Sequence, residues 1–299
     1  MKILVGLLST IENEYKECIN SIKKQQNANF DIYEIKNKPK NIAHDKLYSK
    51  FQTNSDYFDL LIKIDADMVI EDVNLFYKIV NEFIVNKELD HLVIPVYDHF
   101  MGKHIWGVNV HRNTVKWNTN VDNYSTDTVQ KEETVRGLKE WIVPEESPII
   151  HHCPNPSPFQ AFHFGLHRSI KAFQFNKKNR TNARPHWINF YYLQEHYHLT
   201  MNKKILFALA AARYVIDHKI DDSFIDYNNS ESYKIFCRFN SMSEAELYKY
   251  AIQNIYMRLL VSMRFSTILT KLTYEMVFLI KFFENLLPRI TKISNKKKE

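Results

Sequence analysis

The chain has 299 residues, 45% of them hydrophobic and 25% charged, with a mean hydropathy of −0.38, which suits a globular protein with one good-sized core and an accessory region. Its 5 glycines form neither GxGxxG nor GxxxxGK(S/T), and this excludes the glycine-rich phosphate loops that need close backbone approach at several positions. The net charge of +6, from 40 basic and 34 acidic side chains, is modest for this length, and no nucleic-acid partner is expected.

Residues 3–8 are a continuous apolar run, the pattern of a strand covered on both faces in a parallel sheet. The run is short for a signal peptide, lacks a small-residue cleavage site and leads directly into acidic residues. Tyr15, Cys18, Ile19 and Ile22 then fall on one helical face. Residues 31–35 and 60–64 predict two further strands, the second running into Asp65-Ala66-Asp67. A second helix should follow, with Glu71 and Asp72 near its start and Phe76, Ile79, Val80, Phe83 and Ile84 on one face. Residues 91–97 and 106–111 predict more strands, and Ile149-Ile150 a short one closing at His151-His152. Strands interleaved with helices indicate an α/β sheet.

After the turn containing Pro154, Pro156 and Pro158 the pattern changes, and from Phe159 onward almost everything reads as helix. Ser241-Met242-Ser243-Glu244 fits a capping box that opens a helix to about Leu260. A boundary near residue 175 is therefore expected, dividing an α/β domain at 1–175 from a helical region at 176–299. Residues 276–283 are apolar on all sides, and 271–299 carries seven Lys or Arg against three Glu. This end should pack on the first domain, pair with another subunit, or rest on an anionic membrane surface. No run of about 18 uncharged apolar residues occurs, so a conventional membrane span is not expected. Cys18, Cys153 and Cys237 are widely spaced without CxxC, which fits a reducing cytoplasm and neither a disulfide framework nor a zinc finger.

Asp65 and Asp67 carry the chemistry. At the end of an extended segment, side chains at i and i+2 point to one face, so both carboxylates address one spot. That spot lies beyond the carboxyl end of a sheet strand, where open α/β sheets bind ligands. Two carboxylates there repel unless a cation sits between them, and Mn²⁺ or Mg²⁺ combines such carboxylates with phosphate oxygens and water. A turn-forming or helix-capping role is the alternative.

With this motif in its setting, the first 150 to 170 residues resemble the inverting nucleotide-sugar glycosyltransferases of the GT-A fold, the large family often called family 2. The likeness rests on the opening strand with Ser9-Thr10-Ile11-Glu12-Asn13-Glu14, the helix ending Asn20-Ser21-Ile22-Lys23-Lys24-Gln25-Gln26, the segment Asn41-Ile42-Ala43-His44-Asp45-Lys46, and Lys63-Ile64-Asp65-Ala66-Asp67. It implies a Rossmann-like, mostly parallel sheet flanked by helices, with a helical C-terminal region. It also implies a nucleotide-sugar donor contacted by Ser9, Glu12, Lys46 and Asp65, and a metal held by Asp65 and Asp67. A general base should follow Gly107-Val108-Asn109-Val110-His111-Arg112. The family pattern ends in Asp, whereas Lys131-Glu132-Glu133 stands here. Glu133 is the first candidate, then Asp127, then Glu132. Adjacent strand residues point to opposite faces, so at most one of His151 and His152 reaches the metal, and His152 is the preferred third ligand. Arg168 or His167 would meet the donor diphosphate, a role that suits the guanidinium fork. His163 and His167 share a helix face, and the aromatics between Trp187 and Tyr192 read mainly as core.

The expectation is a cytoplasmic, metal-dependent glycosyltransferase, peripheral on the inner face of a membrane if the basic tail docks there. Its partners would be a nucleotide-sugar donor and a glycan or lipid-linked acceptor. A sugar nucleotidyltransferase and a non-catalytic scaffold of this fold are the alternatives. The first usually carries a glycine-rich basic loop that residues 7–14 lack, and the retained Asp65 and Asp67 count against the second.

Overall fold

A computed structural model describes residues 1–117, 134–144, 146–178, 180–218, 220, 226–227 and 229–253. The apolar opening run is strand β1 (Lys2–Ser9), followed by α1 (Tyr15–Lys23), β2 (Asn29–Lys36), α2 (Lys40–Thr53), β3 (Leu60–Asp65), β4 (Met68–Ile70), α3 (Leu75–Val85), β5 (His91–Asp98), β6 (Lys103–Arg112), β7 (Leu138–Glu140) and β8 (Ile150–His152). The helices α4 (Pro158–Lys178), α5 (Arg180–Thr200), α6 (Lys203–His218), α7 (Ser230–Asn240) and α8 (Glu244–Tyr248) follow, with a π-helical turn at Lys249–Gln253.

The strands form one sheet in the order β2-β1-β3-β6-β5-β8-β4, with β7 also on β5. β1 lies parallel to β2 and β3, and β5 parallel to β7 and β8. β6 and β4 run against their neighbours. The architecture is the expected one: a mostly parallel, Rossmann-like GT-A sheet flanked by helices, then a helical region. One consequence governs the rest. β1, β2, β3, β5 and β8 share a direction, so Ser9, Lys36, Asp65, Asp98 and His152 end their strands at the same edge.

Strand alternation divides the core. Ile3, Val5 and Leu7 join Ile62 and Ile64 against Cys18 and Ile22 of α1 and Phe76, Ile79 and Phe83 of α3. Leu4 and Leu61 face the other way, onto Ala43, Leu47, Tyr48 and Phe51 of α2. Gly6 is needed there, because a methyl group at its position would run into the Leu47 side chain. The helical region has its own core, with Phe162, Leu166, Leu193, Ile205 and Leu209, and it takes in Phe100, Met101 and Cys153 from the edge of the sheet. Phe190 is buried in it as expected.

Some local expectations differ from what forms. α2 covers the segment from Asn41 to Lys46, for which no helix is predicted from the sequence. The capping box falls two residues later than read: the Ser243 hydroxyl accepts from Glu246 N–H and the Glu246 carboxylate accepts from Ser243 N–H. Ser241 is spent as the C-cap of α7, which moves the break between helices forward. Ile84 is exposed instead of joining the buried face of α3. Among the described residues, no helix is long and apolar enough to cross a membrane. The basic stretch 271–299 lies outside the described residues.

Candidate active site

Asp67 sits in the tight connection between β3 and β4. Antiparallel pairing of β4 with β8 brings His152 beside it, Met68 being opposite His152, and the Cys153 N–H donates to the Asp67 carbonyl at 2.8 Å. The Asp67 Oδ2 lies 3.3 Å from His152 Nε2, and the Cys153 thiol donates to the same oxygen at 3.4 Å. On its far side, His152 Nδ1 meets Asp98 Oδ2 at 2.9 Å. Asp98 is itself fixed, because its other oxygen accepts the N–H groups of Phe100 and Met101 at 2.8 and 2.9 Å. A carboxylate that orients one ring nitrogen so that the other faces a ligand position is a recurrent arrangement behind metal-bound histidine.

The electrostatics are those of a tightly coupled, buried set. Burial opposes a charged His152, but Cys153, Asp67 and Asp98 together raise its pKa well above the ordinary imidazole value. Burial likewise opposes an ionised Asp67, and His152 and the Cys153 thiol overcome it, lowering the pKa. The Cys153 thiol is pushed up, first by burial and then by the Asp67 charge. His152 thus bridges two carboxylates, with Nδ1 on Asp98 and Nε2 facing the Asp67 oxygen and the Cys153 sulfur. One observation tests the fit. Asp67 Oδ1 is buried and has no hydrogen-bond partner among the described residues. A buried carboxylate oxygen left that way is costly, and a cation beside it removes the cost. Asp67, His152 and Cys153 offer three donor atoms within 4.8 Å of one another. Asp65 stands apart from this group, its carboxylate taking the Lys63 ammonium at 3.0 Å.

These groups line a cavity of about 390 Å³. Asp65 and Asp67 both face it, as do Lys38, Lys40 and Lys63 from the sheet side and His163, His167 and Arg168 from α4. His163 also stacks on Tyr227 with ring centroids 3.7 Å apart. Arg168 has no carboxylate partner within salt-bridge distance among the described residues, and burial lowers its pKa. Ser9 reaches the cavity while donating its hydroxyl to Glu34 at 2.9 Å. The Glu12 carboxylate is folded back onto Thr10, accepting from its N–H and hydroxyl, both at 2.6 Å. Burial first, and then the Asp67 charge, push the Glu12 pKa up to about 7 against these bonds. Glu14 takes a different part. It accepts from Gln160 and from the Asn155 N–H at 2.8 and 3.0 Å, tying the loop after β1 to the start of α4.

The remaining sequence candidates lie elsewhere. Lys46 lines a separate groove with Tyr33, Asp45 and Ser49, because α2 turns residues 40, 43 and 44 toward the cavity instead. His151 faces away from Asp67, 3.0 Å from His99 and 3.7 Å from Glu71. Glu133, Asp127 and Glu132 lie outside the described residues.

No family model and no curated protein sequence matches the chain. Among solved structures it is similar to S. aureus TarS at 11% identity and a TM-score of 0.33, over 73% of this chain and 50% of that one. Residues 1–349 of TarS align at 12% identity and a TM-score of 0.31, over 73% and 82%. A197 from STIV aligns at 14% and 0.28, over 38% and 65%. The chain therefore spans half the length of TarS and 65% of A197.

Sequence reasoning missed Asp98, Cys153, Lys38 and Lys40. Asp98 carried a usable signal, an acid just past a predicted strand, the same placement that singled out Asp65. Cys153 was weighed for disulfides and zinc-finger spacing among the cysteines alone, and nothing in its spacing from Asp67 points to a contact across 86 residues. Lys38 and Lys40 depend on where α2 begins, and that helix was not expected.

Proposed function

We propose that this chain is a metal-dependent glycosyltransferase, moving a sugar from a nucleotide-sugar donor to a glycan or lipid-linked acceptor. The observation that carries the reading is the Asp67–His152 pair with its partnerless carboxylate oxygen, facing a cavity that also holds Arg168 and three lysines. An anionic ligand that brings its own divalent cation suits such a mixture, and a nucleoside diphosphate is that kind of ligand.

In this reading Asp67 and His152 hold Mn²⁺ or Mg²⁺, with imidazole favouring Mn²⁺. Bound there, the ion would neutralise charge gathering on the leaving diphosphate. Asp65 meets the same donor from the cavity wall, kept in place by Lys63. The Arg168 fork and the ammonium groups of Lys38 and Lys40 receive diphosphate oxygens. Ser9 and Glu12 border the nucleoside end, and Lys46, on its separate groove, is left out. Trp106, lining the cavity on the β6 side, supports the acceptor sugar. Attack by the acceptor hydroxyl with inversion needs a base, for which Glu133, then Asp127 and Glu132, are the candidates. A lipid-linked acceptor would set the basic stretch 271–299 against anionic headgroups.

Calorimetry against a panel of nucleotide sugars, with and without Mn²⁺, tests the reading. One donor should bind only with metal, and Asp67→Asn should abolish that binding while leaving thermal unfolding cooperative. Metal-independent binding, or none by any donor, would remove the basis for the proposal.

A further inference from the structure

The proposed function needs two protein ligands for the ion, yet the site holds a third donor. Cys153 Sγ lies 3.4 Å from Asp67 Oδ2 and 3.7 Å from His152 Nε2, and these last two are 3.3 Å apart. Three donors around one tetrahedral ion, with bonds of about 2.0–2.3 Å, stand about 3.3–3.8 Å from one another. All three separations fall in that range. Octahedral bonds of about 2.0–2.1 Å, the geometry Mg²⁺ demands, would set neighbouring donors about 3 Å apart.

The backbone fixes this arrangement. Cys153 has a φ of 52°, a conformation that side-chain-bearing residues adopt only when their surroundings impose it. In that conformation its N–H donates to the Asp67 carbonyl at 2.8 Å. The thiol is buried, with Asp67 and His152 as its polar neighbours. Asp98 holds the ring so that Nε2, not Nδ1, faces the sulfur. Asp67, His152 and Cys153 all line the cavity, so an ion they held would be open to exchange a further ligand, as zinc is in sites with three protein donors.

We propose that Cys153 is a third metal ligand, and that with Asp67 and His152 it forms a carboxylate–imidazole–thiolate site for a borderline ion, zinc or cobalt(II). The inference rests on the metal reading above and changes its ion. Soft thiolate and imidazole donors select such ions over Mg²⁺, with Mn²⁺ between them. On binding, the thiol proton and any proton on Nε2 leave to solvent, since both donors coordinate in their deprotonated forms.

Cobalt(II) titration of the full chain, followed by absorption spectroscopy after stripping with chelator, decides the matter. One equivalent should bind with intense visible bands of tetrahedral cobalt and a near-ultraviolet thiolate-to-cobalt charge-transfer band. Zinc should displace it, whereas magnesium at about a hundredfold excess should not. Cys153→Ser should lose the charge-transfer band, and Cys237→Ser, at an exposed cysteine, should keep it. The wild-type spectrum is decisive even if Cys153→Ser folds poorly. Bound cobalt with only weak octahedral bands and no charge-transfer band would overturn the thiolate ligand and leave the two-ligand metal reading standing. No cobalt or manganese bound by the wild type would overturn both.

Discussion

Asp98 holds the imidazole of His152 by a 2.9 Å bond at Nδ1, and the turn N–H groups of Phe100 and Met101 hold Asp98 in turn. The pair ends adjacent parallel strands, Asp98 being in register with His152. The ring orientation is therefore built into the sheet and does not wait for a ligand.

Asp98→Asn should weaken Mn²⁺ or Co²⁺ binding about 10- to 100-fold, the usual effect of removing a carboxylate behind a metal-bound histidine. An asparagine oxygen can still accept from Phe100 and Met101, so the turn should survive and the thermal midpoint should move little. Metal affinity by calorimetry beside a melting curve separates the two effects. Unchanged affinity would mean that the ring is held by packing alone.

Asp90 gives the fold an acid-sensitive clasp. It is fully buried and binds Arg136 through Nε at 2.9 Å and Nη2 at 3.1 Å, with the Thr114 hydroxyl at 2.6 Å. Burial alone would raise its pKa, but Arg136 and Thr114 outweigh burial and hold it at about 2. Because this lies below the unfolded value of about 3.9, the contribution is complete above roughly pH 4 and is lost as pH falls toward 2. Urea midpoints measured from pH 5 to pH 2 should fall by an amount worth roughly 2 kcal/mol more in the wild type than in Asp90→Asn. The variant should be the less stable protein at neutral pH.

The sheet was readable because burial on both faces writes itself as apolar runs, and residues 3–8, 60–64 and 91–97 all became strands. α2 was not readable in the same way. Its buried stripe contains His44 and Tyr48 among Ala43, Leu47 and Phe51, so polar atoms diluted the period that marks a helix. At the site, Asp65 and Asp67 stood out because carboxylates two residues apart at the carboxyl end of a strand can address one spot. Their unlike environments did not, since one meets Lys63 and the other meets His152 only after β4 has paired with β8. Contacts made by sheet closure over more than 80 residues leave no local spacing to find.

Gly165 lets α4 approach α6 closely. A methyl group at its position would strike the Ala208 carbonyl, which is backbone and cannot swing aside. Gly165→Ala should therefore destabilise by about 1–3 kcal/mol, despite the better helix propensity of alanine. Chemical denaturation measures this, and a variant as stable as the wild type would show that the two helices can separate at no cost.

Trp106 owes its position to a bulge. β5 and β6 keep register at Ile94 and Val108, then shift so that Pro95 faces Trp106 and Gly107 is the extra residue. Val108 and Val110 point into the core, and strict alternation would send Trp106 after them. The shift gives that side to Ile105, which packs on the core, and leaves Trp106 46% exposed on the cavity wall. A side chain at 107 would collide with Val96, so only glycine fits the bulge. In the proposed reaction the indole is a stacking face for the acceptor ring. Trp106→Ala should raise the acceptor KM about 3- to 10-fold, matching a stacking contribution of about 0.5–1.5 kcal/mol. Donor affinity and the thermal midpoint should stay near wild type, because the ring is half exposed and belongs to none of the hydrophobic clusters among the described residues. Trp106→Phe should recover most of the loss, and a rise in donor KM instead would place the nucleotide, not the acceptor, against this face.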